Sequence, residues 1–191
     1  MSTEQKAAHI ALALQSPGMC LDIGVSGGTS LVQLLDGIRA SGQDREVYAF
    51  DSYAPPRDMR LEKGDGNNPY TENRSYYARP EYIPYIEGFL REAAPRVRGD
   101  LILGYVEETL PPFLQKHTPP ICWVHFGTGL YNPTQIVLNH VWQRISIGGI
   151  IFVANGTETG ENQAVQEFLQ AHPMFITRDP EWYHCCIQRI A

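Results

Sequence analysis

The residues of this chain whose types and spacing could do chemistry are two aspartates that close apolar runs and the glycine-spaced turn after the first of them. The run Cys20-Leu21-Asp22-Ile23 leads into Gly24-Val25-Ser26-Gly27-Gly28-Thr29-Ser30, which opens an amphipathic stretch. Glycines let the backbone turn tightly and approach a ligand closely, and a helix N-terminus behind them presents free N–H donors. The second run, Val47-Tyr48-Ala49-Phe50, ends in Asp51, about twenty residues on, where alternating α/β folds bind ribose hydroxyls. A carboxylate there can accept both vicinal hydroxyls, so the two runs together outline a nucleotide-type cofactor site. Two blander readings stand beside this one: a plain strand-to-helix corner for the glycines, and a turn or helix cap for Asp51.

Further along, His125 lies near the C-terminal end of the apolar run Ile121–Phe126, where an imidazole could serve as a base. Strand alternation equally permits a buried structural histidine. Tyr131 follows it and could orient an acceptor or pack against the next helix. Residues 54–80 are rich in Pro, Gly, Asn, Arg and Tyr and show little apolar periodicity. Directly after Asp51, this stretch reads as a cover over the crevice, with Tyr53, Tyr70, Tyr76 and Tyr77 suited to gripping an organic ligand. A surface insertion is the alternative.

These residues need a scaffold of alternating elements. Helical periodicity appears in Glu4–Leu14, Ser30–Ala40, Glu81–Ala94, Thr109–Lys116, Pro133–Ile145 and Asn162–Ala171. Between them lie the continuous apolar runs of buried strands: Met19–Ile23, Val47–Phe50, Leu101–Val106, Ile121–Phe126 and Ile150–Ala154. Met174–Arg178 and Trp182–Ile190, separated by Asp179-Pro180-Glu181, close the chain as an antiparallel pair. The pattern predicts a seven-stranded, mostly parallel sheet with an antiparallel edge strand and helices on both faces, formed as a single domain over residues 1–191.

Composition narrows the function. The formal net charge of −6 argues against a nucleic-acid partner. No apolar run approaches a membrane span and the N-terminus lacks a secretory pattern, so a cytoplasmic protein with no membrane association is expected. Cys20, Cys122, Cys185 and Cys186 sit in apolar runs without C-x-x-C spacing and read as buried reduced thiols.

Four blocks resemble the class I S-adenosylmethionine-dependent methyltransferases with their Rossmann-like sandwich, and within them the macrocin O-methyltransferase family. They are Asp22–Ser30, Tyr48–Tyr53, Gly104–Pro111, and His125–Tyr131 with Gly148-Gly149 before the fifth strand. The resemblance implies S-adenosyl-L-methionine as cofactor, with Gly24, Ser26 and Ser30 around its methionine end, Asp51 on its ribose and Val106-Glu107 beside the adenine. The residues themselves point to Tyr53, Tyr76 and Tyr77 for the substrate and to His125 with Tyr131 for catalysis, and the resemblance adds Asp22, Gly28, Ser52 and Gly127 to the cofactor set. It further implies a small-molecule, natural-product-like substrate, and is compatible with a homodimer. Such proteins carry aspartates after the fourth and fifth strands to hold a divalent cation. Here Gly127, Gly129 and Ala154-Asn155 stand in their places, so no metal is expected, Glu158 and Glu161 being read as partners of the final helix dipole. The expectation is O-methyl transfer without a metal. The alternatives are a cofactor-binding relative that is inactive or repurposed, and, less well matched because the G-x-G-x-x-G spacing is missing, a nicotinamide-dependent oxidoreductase.

Overall fold

The computed structural model describes residues 2–55, 78–154, 159–177 and 185–191. Element order is α1 (Thr3–Ala13), β1 (Met19–Ile23), α2 (Thr29–Ser41), β2 (Arg45–Asp51), α3 (Ile83–Glu92), β3 (Val97–Arg98), β4 (Leu101–Leu103), α4 (Val106–Lys116), β5 (Ile121–Phe126), α5 (Tyr131–Val141), β6 (Ile145–Val153), α6 (Gly160–Ala171), β7 (Phe175–Thr177) and β8 (Cys185–Arg189). The sheet runs β3-β2-β1-β5-β6-β8-β7, with β4 also paired to β2. All pairs through β6 are parallel, and β8 is antiparallel to both β6 and β7.

The sheet has eight strands rather than the seven expected, because the edge beside β2 is filled by two short pieces. Gly99 lies between them, and a side chain there would collide with the Val47 carbonyl. A second difference concerns Val106, expected at the end of a strand. Gly104, with φ +129°, ends β4 and turns the chain, and Val106 opens α4.

Alternation along β1, β2, β5 and β6 sorts the core into two layers. Leu21, Ile23, Phe50, Val124, Phe126 and Val153 face α4, α5 and α6. Cys20, Ala49, Trp123 and Phe152 face α1, α2 and α3. Cys20, Cys122 and Cys186 are buried, the first two with their sulfur atoms 3.6 Å apart, and among the described residues no helix is long and apolar enough to cross a membrane.

Candidate functional site

The C-terminal ends of β1, β2, β5 and β6 are laced together by backbone hydrogen bonds. Gly24 N–H donates to the Phe50 carbonyl at 2.8 Å, Gly127 N–H to that of Ile23 at 2.8 Å, and Ala154 N–H to that of Phe126 at 2.9 Å. Gly24 and Gly127 abut: a Cβ on Gly24, whose φ is +75°, would lie 2.9 Å from the Gly127 carbonyl carbon. The two turns therefore meet backbone to backbone, with no room for a side chain between them.

The glycine turn and Asp51 form one unit. Asp51 accepts from Ser26 N–H at 2.9 Å with one carboxylate oxygen and from Tyr53 N–H at 2.8 Å with the other. Ser26 and Tyr53 both adopt φ +46°, and the Tyr53 hydroxyl donates to the Ser26 carbonyl at 2.9 Å. Burial pushes the Asp51 carboxyl above the ordinary aspartate range, opposed by these N–H donors and assisted by the charge of Asp22. Tyr53 is raised well above the usual phenol range by burial and then by the charges of Asp51 and Asp22. Ser52 donates its hydroxyl to the Ala54 carbonyl at 3.0 Å. Gly28 caps α2 without any side-chain hydrogen bond, so the first N–H groups of that helix keep their donor capacity. Tyr82, just before α3, lies 3.6 Å from where a Cβ on Gly27 would stand.

Behind the turn, Asp22 is fully buried and engaged on both oxygens: Ser30 donates its hydroxyl at 2.7 Å and His125 Nδ1 lies at 2.8 Å. A carboxylate can only accept, so His125 carries its proton on Nδ1. The imidazole is 5% exposed and stacks on Phe152 with ring centroids 5.7 Å apart. Local spacing carries no trace of this pair, since it depends on β1 and β5 lying side by side.

Several expected site residues sit elsewhere. Tyr53, expected to grip substrate, is 6% exposed and packed in the core against the turn. Tyr131, expected in a loop, opens α5, is 2% exposed, and directs its hydroxyl to the Glu167 carboxylate at 2.5 Å. Its hydroxyl also accepts from Gln135, so it belongs to the α5–α6 contact. Val106 is buried beneath the first turn of α4, beside half-buried Glu107. Tyr70, Tyr76, Tyr77, Asn155 and Glu158 lie outside the described residues.

The described residues at the strand ends offer little to a divalent cation. Gly127, Gly129 and Ala154 supply no side-chain oxygen, and among the described residues no group of three His, Cys, Asp or Glu side chains could hold a metal ion. Glu161 behaves differently from a surface partner of the helix dipole. It is fully buried in the first turn of α6 and accepts from Gly129 N–H and from the Thr128 hydroxyl. Its contact partners are more than thirty positions upstream, so no local pattern could have revealed them.

Residues 1–178 match the macrocin O-methyltransferase family. No curated protein is significantly similar in sequence. Among solved structures, the calicheamicin methyltransferase CalS11 superposes with a TM-score of 0.80 at 19% identity, covering 98% of this chain and 77% of that one. The O-methyltransferase NovP gives a TM-score of 0.79 at 20% identity, over 99% of this chain and 79% of its own. The O-methyltransferase TomG of Streptomyces achromogenes, solved with S-adenosylmethionine, gives 0.57 at 15% identity, over 100% and 82%. These likenesses carry the fold, and the family match carries the chemistry: the chain belongs to the macrocin O-methyltransferase family, and is an O-methyltransferase whose methyl donor is S-adenosyl-L-methionine.

Proposed function

We propose that the chain methylates a hydroxyl oxygen of a small, natural-product-like acceptor without a divalent cation, as a single cytoplasmic domain that engages neither nucleic acid nor membrane. The observation that carries the metal-free reading is the side-chain chemistry beyond β5 and β6, where Gly127, Gly129 and Ala154 stand in place of carboxylates. A hard cation would keep its water rather than bind there.

The remaining residues fit the donor. Gly24, Ser26, Gly28 and Ser30, with Asp22 behind them, would enclose its methionine end beside Gly127. Asp51 accepts from Ser26 and Tyr53 N–H, with Ser52 N–H beside them, and the ribose hydroxyls would use the acceptor capacity its carboxylate has left. Ser52, Val106 and Glu107 would line the nucleoside end. When bound, S-adenosylmethionine supplies a methyl group on a cationic sulfonium, which is already activated toward an aligned nucleophile. His125 would take the hydroxyl proton of the acceptor at Nε2, the nitrogen left with a lone pair when Nδ1–H donates to Asp22. Asp22 would then offset the charge of the imidazolium. Because the ring is buried, bulk water competes little for that nitrogen. Tyr76 and Tyr77, outside the described residues, stay candidates for gripping the acceptor on the sequence alone.

Calorimetry with S-adenosylmethionine and with NAD tests the donor, and only the former should bind. Incubation with methyl-labelled donor and a panel of hydroxylated acceptors, with and without EDTA, tests the reaction. Label should enter an acceptor at a rate unchanged by EDTA, and inhibition by the chelator would overturn the metal-free reading. The missing carboxylates also favour a second reading, a donor-binding protein that has lost transfer or been repurposed, and tight donor binding with no label transferred across the panel would select it.

A further inference from the structure

Lys6 sits in the N-terminal part of α1, directly after the capping box made by Ser2 and Gln5. A cation there opposes the helix dipole, and lysines ordinarily carry their ammonium out to water. Lys6 is placed against both tendencies. Its side chain is half-buried, and Nζ lies 4.8 Å from the centroid of the Phe152 ring.

Phe152 pairs in register with His125, and His125 with Asp22, so the three form one row across β6, β5 and β1 on the face covered by α1. The ammonium lies over this row, close enough to feel the Asp22 charge. Asp22 is already occupied, one oxygen by Ser30 and the other by His125. Among the described residues the Lys6 ammonium makes neither a hydrogen bond nor an ion pair. An ammonium taken partly out of water with three unused donors is costly unless an anion meets it. Ser30, the hydroxyl partner of that same Asp22, lies in the first turn of α2, among the residues proposed to enclose the methionine end of the donor, and that end carries the donor's one carboxylate.

We infer that Lys6 recognises the α-carboxylate of S-adenosylmethionine, so that the first helix contributes a donor-binding residue. This rests on the donor site proposed above. The pairing is a charge-assisted contact in a partly dehydrated setting, and the sulfonium and nucleoside are left to the turn and Asp51.

The test compares S-adenosylmethionine with its decarboxylated form, which keeps the sulfonium, the amine and the nucleoside, by calorimetry on the wild-type chain, Lys6→Met and Lys6→Arg. The wild type should bind the carboxylated ligand about tenfold more tightly, Lys6→Met should lose that factor for S-adenosylmethionine alone, and Lys6→Arg should keep most of it. Equal losses for both ligands, or no loss for S-adenosylmethionine, would overturn the inference. Failure of the wild type to bind either ligand would instead remove the donor site itself, and the inference with it. Lys6→Gln carries the same comparison should the methionine variant fold poorly.

Discussion

His125 and Asp22 stand in register on adjacent strands, with Nδ1 2.8 Å from a carboxylate oxygen and both side chains buried. Removing Asp22 strands two donors, the imidazole N–H and the Ser30 hydroxyl. Asp22→Ala should therefore cost about 3 kcal/mol in urea unfolding. His125→Asn keeps an N–H toward Asp22 and should lose less stability. If the imidazole takes the acceptor proton, the same change should slow turnover by about a hundredfold or more with little change in donor affinity. Turnover within a few fold of wild type would assign the histidine to bracing β1 against β5.

Asp51 offers a pH signature. Its carboxyl is held above the usual range chiefly by burial, so in the folded state it takes up a proton at a higher pH than an exposed aspartate does. The folded chain then binds more protons than the unfolded one within that window, and Asp51 contributes less to stability as pH rises through it. Donor binding runs the other way, since the ribose hydroxyls need an acceptor. Calorimetry from neutral to acid pH should show donor affinity falling through a titration above the ordinary aspartate value, and Asp51→Ala should abolish binding at every pH.

Lys6 trades stability against affinity. Burial holds its ammonium below the ordinary lysine range, with Asp22 opposing. Unfolding therefore takes up a proton between the folded and unfolded values, so stability from this residue increases as pH rises through that alkaline window. At neutral pH, Lys6→Met should relieve a penalty on the order of 1 kcal/mol, raising Tm by about 2–4 °C in a chain of this size. Thermal melts without ligand check this, and the gain should shrink as the pH enters the lysine range.

Glu161 fixes the loop after β5. Glu161→Ala would leave the Gly129 N–H without its acceptor and open a cavity beneath α6. The expected cost is about 2–3 kcal/mol by chemical denaturation. Glu161→Gln retains an acceptor oxygen and should cost less. A surface carboxylate serving only the helix dipole would lose no more than about 1 kcal/mol with either change.

The alternation of apolar runs with amphipathic stretches is enough to read the layered α/β fold and to pick out the turn at Gly24–Gly28 and Asp51. Local periodicity fails where structure is short or long-range. The two-residue strand β3 has no period to detect, and Tyr105-Val106 prolong an apolar run that a single glycine, Gly104, cuts. Pro133 reads as the first residue of a helix that in fact opens at Tyr131, because proline is tolerated anywhere in the first turn. The pairing of Asp22 with His125 and the inward turn of Glu161 depend on strand order and on packing between distant segments. Lys6 does leave a local trace, a cation near a helix start where the dipole disfavours it.

The hydrogen bond from the Tyr53 hydroxyl to the Ser26 carbonyl joins the exit of β2 to the bend that precedes α2, alongside that from Ser26 N–H to Asp51. Whatever shifts Tyr53 must also shift Ser26, so events on either side are thermodynamically reciprocal. An acceptor that sharpens methyl-donor affinity by some factor will have its own affinity sharpened equally by the donor. Removing that hydroxyl with Tyr53→Phe, while Asp51 still holds Ser26 and Tyr53 N–H, should weaken the coupling between the two ligands.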